Sequence, residues 1–268
     1  MPFLLASLVM GMVGCQELNI ADVDEDLVLI PGTPFLGDAE VTVWFALDQS
    51  LSMADRATSV ENEGRAAAVD FFERLDGATK GWRAGVLSRG PCMEGGPLGP
   101  LRNDAGAILY AEASIARETE ETWIQVTPKS GLPTLEPDAP IPPGEMLLQR
   151  VVDAMDASGP DGCNADMLDE GTTLHVVLVT DAQERSPDDA AAYLSTMQRD
   201  VGGDEDSVVV HAVVPATGCG EPPGTDSAGH TELAVETGGL VVDICGDPWT
   251  SQLQYVASEV ISSLITQP

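Results

Sequence analysis

The sequence predicts a doubly wound, mostly parallel α/β sheet flanked by helices. Three observations carry that prediction. Two strongly apolar runs, Val41–Leu47 and Leu174–Thr180, read as buried strands, and each is followed by an aspartate, Asp48 and Asp181. Strand-like runs alternate with helix-like runs along most of the chain, the pattern of a parallel sheet covered on both faces. The last segment, Trp249–Ile265, carries Leu253, Val256, Val260, Ile261 and Leu264 on one helical stripe, as a closing helix should.

Taken in order, Met1–Gly14 is an uncharged apolar run, too short to span a bilayer, and reads as a processing segment. It leads into Met12-Val13-Gly14-Cys15, which resembles a bacterial lipobox with Met12 in place of the usual leucine. That resemblance implies lipid modification at Cys15, and Gln16 after the cysteine favours the outer membrane. Residues 16–39 are acidic and proline-containing, a tether ahead of a domain over 40–268. Val41–Leu47 is the first strand. A helix is expected over Asp55–Leu75, with Val69, Phe72 and Leu75 at helical spacing. Gly81–Leu87 is a second strand. Residues 88–144 are rich in proline and glycine and read as an irregular insertion, with strands at Ile108–Ile115 and Thr122–Thr127. Glu145–Ala157 is a helix. Leu174–Asp181 is almost wholly apolar, as a central parallel strand is. A helix opens at Pro187 with Ser186 as its N-cap. Ser207–Pro215 is a strand, His230–Glu236 a short helix broken by Gly238-Gly239, and Leu240–Cys245 the last strand.

The chain has 44 acidic against 12 basic residues, a net charge of −32. That balance excludes nucleic acid or an anionic membrane surface as the main partner. It leaves a solvated acidic surface suited to a salty medium, weak divalent-cation binding, or a basic partner. With Cys15 acylated, Cys92, Cys163, Cys219 and Cys245 remain, an even number that suits an oxidising compartment. Four cysteines allow three pairings. Cys219–Cys245 and Cys92–Cys163 are the favoured pair of bridges, and free buried thiols are the alternative. No two cysteines have the Cys-x-x-Cys spacing of a metal site. His175, His211 and His230 are scattered along the chain, and a structural role is expected for them.

Chemistry concentrates after the first strand. Asp48-Gln49-Ser50-Leu51-Ser52 places one carboxylate and two hydroxyls at the C-terminal edge of a sheet, where open α/β sheets bind ligands. Hard oxygen donors of this kind suit a small hard cation. Asp181 ends a second strong strand and can face the same crevice.

Asp-x-Ser-x-Ser-Met after the first strand, with a later apolar strand running into Val179-Thr180-Asp181, resembles the von Willebrand factor type A domain. The resemblance covers about 40–267 and extends to the run His230–Gly239, a following strand, Asp247-Pro248-Trp249 and a last helix, as in the exported bacterial branch of that family. It implies a Rossmann-like fold with a metal-ion-dependent adhesion site (MIDAS). Ser50 and Ser52 would bind Mg²⁺, or Mn²⁺ or Ca²⁺, directly. Asp48 and Asp181 would hold the ion mainly through water. An open position would then take a carboxylate from a protein partner, and no catalysis is implied. One position departs from the family: Ile141 stands where a threonine is usual, which weakens the expected ion or requires a water in its place. Two alternatives follow. A metal-free scaffold in an envelope assembly would use the serines as helix caps and the aspartates for loop amides. A metal-dependent phosphohydrolase would need a second acid two residues beyond Asp48, where Ser50 stands.

Overall fold

A computed structural model describes residues 40–48, 53, 70–71, 74–75, 81–87, 90–93, 146–165, 167–168, 172–215, 228–245 and 249–266. All of them belong to the unit Thr33–Pro268. The expected strands at 108–115 and 122–127, and the apolar leader, lie outside the described residues. So do Val69 and Phe72 of the expected helical stripe.

The described strands are β1 (Glu40–Leu47), β2 (Gly81–Leu87), β3 (Thr173–Val179), β4 (Val208–Val214) and β5 (Val241–Asp243). They form one sheet in the order β2-β1-β3-β4-β5. Every neighbouring pair is parallel. The helices are α1 (Leu147–Asp156), α2 (Ala190–Val201), α3 (Ala228–Glu236) and α4 (Trp249–Thr266). This is the doubly wound arrangement the alternation predicts. No described helix is long and apolar enough to cross a membrane.

Both sheet faces are covered, so the central strands carry apolar residues at successive positions. All seven residues of β3 are buried. Val43, Phe45 and Leu47 of β1, with Val177 and Val179 of β3, pack on one face against Leu253, Val256 and Val260 of α4. Phe71 and Leu75 join that face, and Phe71 meets the Phe45 ring edge-on at 5.4 Å. Phe71, outside the expected stripe, is a buried aromatic of that helical segment. Trp44 and Ala46, with Leu174, Val176 and Leu178, pack on the other face against Leu147, Leu148 and Val151 of α1 and Leu194 and Met197 of α2.

The bounds of α2, β3 and β5 differ from expectation in ways that bear on the site. The cap of α2 is Asp189, whose carboxylate accepts from the Ala192 N–H at 2.8 Å. Ser186 is engaged elsewhere: its Oγ accepts from the Gln149 N–H at 3.0 Å, in the first turn of α1. β3 ends at Val179 rather than Asp181, although Thr180 N–H still reaches the Val213 carbonyl at 3.1 Å. β5 keeps only three residues. Asp243 Oδ1 accepts from the Cys245 N–H at 3.0 Å and turns the chain there. The two glycines between α3 and β5 do separate jobs. Gly238 takes φ 71°, a left-handed conformation that glycine adopts without steric cost. A Cβ on Gly239 would sit 1.9 Å from the Val210 carbonyl oxygen, so only glycine lets the chain lie against β4 there.

Cys92 and Cys163 are bridged, as favoured from the sequence, with Cα atoms 5.6 Å apart. Asn164 packs the same junction. Its Oδ1 accepts from Met93 N–H at 2.8 Å, and its Nδ2 donates to the Pro91 and Ala154 carbonyls at 2.6 and 3.0 Å. Cys245 is also disulfide-bonded, and its partner lies outside the described residues.

Candidate functional site at the strand-order reversal

Strand order reverses at β1 and β3, because β2 lies on one side of β1 while β3, β4 and β5 follow on the other. Such a reversal opens a crevice at the C-terminal ends of the two strands. The register puts Leu47 beside Val179, so Asp48 and Thr180 leave the sheet side by side. The Asp48 N–H donates to the Val179 carbonyl at 2.9 Å. The Thr180 hydroxyl donates to Asp48 Oδ2 at 2.5 Å and accepts from the Ala182 N–H at 3.0 Å. Asp48 is 0% and Asp181 1% exposed. Two buried carboxylates thus sit at the ends of adjacent strands. Ser50, Ser52 and Ile141 lie outside the described residues.

A carboxylate withdrawn from water needs donors and counter-charge. Thr180 supplies one donor to Asp48. Arg150, in the first turns of α1, supplies positive charge. It is 4% exposed, and its Nη1 donates to the Leu47 carbonyl at 3.0 Å. Burial lowers the pKa of Arg150, while Asp48 and then Glu184 oppose that shift by attraction. Arginine starts so high that the group remains a cation at neutral pH.

Glu184 lies three residues beyond Asp181 and ties three elements together. Its Oε2 accepts from the Leu148 N–H of α1 at 3.2 Å and pairs with His230 Nε2 of α3 at 2.9 Å. Its Oε1 accepts from Ser186 N–H at 2.9 Å and from the Ser186 hydroxyl. Burial pushes the Glu184 carboxyl up. The hydrogen bond and charge of His230, with the Ser186 bonds, outweigh that and hold it below its ordinary value. Glu184 and Ser186 together satisfy two first-turn amides of α1, which has no side-chain cap of its own. Asp48, Arg150 and His230 are buried and Glu184 is half-buried; Arg150 acts between the charges of Asp48 and Glu184, and Glu184 in turn pairs with His230. Arg150 Nη2 and His230 Nδ1 are buried without a hydrogen-bond partner.

Sequence reasoning missed Thr180, Arg150 and Glu184. A lone arginine at a core position of α1, next to Leu147, Leu148 and Val151, was the available signal for Arg150. Among the described residues no group of three or more His, Cys, Asp or Glu side chains is placed to hold a metal ion. One Asp48 oxygen is already committed to Thr180.

The histidines are less scattered than the sequence suggested. His175 of β3 and His211 of β4 stack with ring centroids 5.4 Å apart, and His175 Nδ1 lies 3.1 Å from His211 Nε2. Both are fully buried in the middle of the sheet, away from the crevice. Burial lowers His211 to about 4. Burial, then the neighbouring His211, holds His175 well below 6.5. The rings are neutral, and their surroundings fix the tautomers. The Leu240 N–H donates to His211 Nδ1 at 3.2 Å, which leaves His211 Nε2–H to donate to His175 Nδ1. His175 Nε2–H then donates to Ser263 Oγ of α4 at 3.3 Å, and that hydroxyl donates to the Val260 carbonyl at 2.8 Å. The pair is a structural tie between sheet and last helix, as expected for these residues.

No protein-family model matches the chain. No curated protein matches it in sequence. Among solved structures, proximal thread matrix protein 1 from the mussel byssus aligns with 85% of this chain and 46% of its own length, at 13% identity and TM-score 0.44. A structure of that protein with a zinc-occupied MIDAS motif aligns with 87% of this chain and 47% of its own, at 13% identity and TM-score 0.43. The pilus adhesin SpaC from Lactobacillus rhamnosus GG aligns with 84% of this chain and 31% of its own, at 13% identity and TM-score 0.45. The chain spans less than half the length of each. At that level of identity and superposition, the likeness transfers no residue role to this chain.

Proposed function

We propose that this chain is a non-enzymatic binding module of the von Willebrand factor type A kind. In this reading a divalent ion, Mg²⁺ or Mn²⁺, is held at the β1/β3 crevice by the Ser50 and Ser52 hydroxyls, with Asp48 and Asp181 behind them. The ion keeps one position for a carboxylate of a protein partner. Neutral hydroxyl ligands leave it electrophilic enough to gain from that added carboxylate. A lipid on Cys15 tethers the module to the bacterial outer membrane.

The observation that supports the reading is that Asp48 and Asp181 are both buried just beyond the adjacent strands β1 and β3, at the reversal of strand order, with Ser50 and Ser52 following Asp48 in sequence. Calorimetric titration of Mg²⁺ and Mn²⁺ into wild type and Ser50→Ala/Ser52→Ala tests the metal. Wild type should bind and the double variant should lose at least about tenfold in affinity, roughly the effect of removing direct ligands. Equal binding in both proteins removes the serines from the site. Capture of the soluble form from its own envelope fraction, with and without EDTA, tests whether the partner contact needs the ion.

A further inference from the structure

We infer that Arg150 is a resident counter-cation of the crevice, supplying without any ion the positive charge that Asp48 and its neighbours require. Three observations support this. Arg150 is almost wholly buried, and Nη1 is fixed on the Leu47 carbonyl, the residue before Asp48. Its charge is drawn to Asp48 and Glu184, which offset part of the cost of burial. Its Nη2 is buried with no hydrogen-bond partner. A guanidinium left with an unsatisfied buried donor is expensive, and an apolar side chain would fill a core position of α1 without that cost. What sustains the arginine is the negative charge of Asp48 and Glu184, which acts on it at this end of the sheet.

The consequence is competition. A divalent ion drawn to Asp48 meets the repulsion of a fixed positive charge whose field already acts on that carboxylate, so Arg150 lowers the ion's affinity. In its absence Arg150 keeps the buried carboxylates balanced and the crevice folded. This second step rests on the metal reading proposed above; the first does not.

The test uses the full soluble chain, in two arms. The first is a thermal double-mutant cycle in EDTA with Arg150→Met, Asp48→Asn and the double variant. Removing one member of a buried charge pair is costly, whereas removing both is close to neutral. Arg150→Met should lower the melting midpoint by about 10 °C, and Asp48→Asn in the same chain should recover much of that loss. If Arg150→Met alone does not fold, folding of the double variant is the supporting result. Additive losses, or no recovery, overturn the inference. The second arm titrates Mn²⁺ alone. Arg150→Met beside the charge-retaining control Arg150→Lys separates charge from packing: Arg150→Met should bind Mn²⁺ about tenfold tighter than wild type and Arg150→Lys should bind like wild type. Wild type binding Mn²⁺ as tightly as Arg150→Met overturns the competition step. Coupling in the first arm with no Mn²⁺ binding by any protein supports the resident cation and defeats the metal reading instead.

Discussion

Thr180 shows how one hydroxyl can anchor a buried carboxylate. It follows the last residue of β3, donates to Asp48 Oδ2 and accepts from Ala182 N–H, so it joins the ends of two strands. Valine has nearly the same shape but no donor. Thr180→Val leaves a fully buried Asp48 oxygen without its 2.5 Å partner, and the Ala182 N–H without its acceptor. Unmaking such bonds to a charged group costs about 2–3 kcal/mol. Urea unfolding should report that loss for Thr180→Val and only about 1 kcal/mol for Thr180→Ser, the size of a lost buried methyl group. Equal losses would assign the role of Thr180 to packing. In the sequence the residue reads as the end of an apolar strand and part of the run Val179-Thr180-Asp181, with no role of its own. A threonine in such a run reads as a β-branched strand former, and its hydrogen bond depends on a register that sequence does not give.

At the scale of elements, β3, β4 and α4 are joined through His175, His211 and Ser263. Both rings must stay neutral in the fold, whereas in the unfolded chain each titrates near 6.5. The folded values are depressed, His211 to about 4 and His175 well below 6.5. Stability is therefore complete above pH 6.5 and declines as pH falls toward 4, because only the unfolded chain takes up these protons. The decline approaches about 1.4 kcal/mol per pH unit for each histidine. Urea unfolding from pH 7 to pH 5, in roughly 0.5 M salt to screen the surface carboxylates, should show that slope. A flat profile would mean that the rings are solvated or charged in the fold. Glu184 adds a loss of the same sign at lower pH, since its depressed carboxyl contributes stability that disappears on protonation. The elements themselves were largely readable. Gly81–Leu87 and α1, α3 and α4 fall within two residues of their expected bounds, because apolar periodicity and glycine breaks are local signals. Ser186 was not readable in its actual role. It stands where a cap for α2 would stand, yet it caps α1, whose first turn is 37 residues away in sequence. Capping across elements leaves no local pattern. The same holds for Arg150 and Glu184, whose meaning lies in what the fold brings beside them.

For the whole molecule, the strongest constraint on the unfolded chain among the described residues is the Cys92–Cys163 bridge, with a sequence separation of 71. It ties the segment after β2 to the segment after α1, two elements that pack on the same side of the sheet through Leu87, Met93 and Met155. Closing a loop of that length is worth about 4 kcal/mol on the chain-entropy model. A net charge of −32 makes this more important, because self-repulsion favours expansion wherever the chain is free to expand. The two effects predict an interaction. Cys92→Ser/Cys163→Ser should lose about 4 kcal/mol in urea unfolding at roughly 0.5 M salt. In roughly 0.02 M salt the loss should be larger, because the Debye length then approaches the size of the domain and the acidic surface repels itself across it. Wild type should gain stability over the same rise in salt. If the double variant loses equally at both salt concentrations, the bridge acts on chain entropy alone and the acidic charge is not restrained by it.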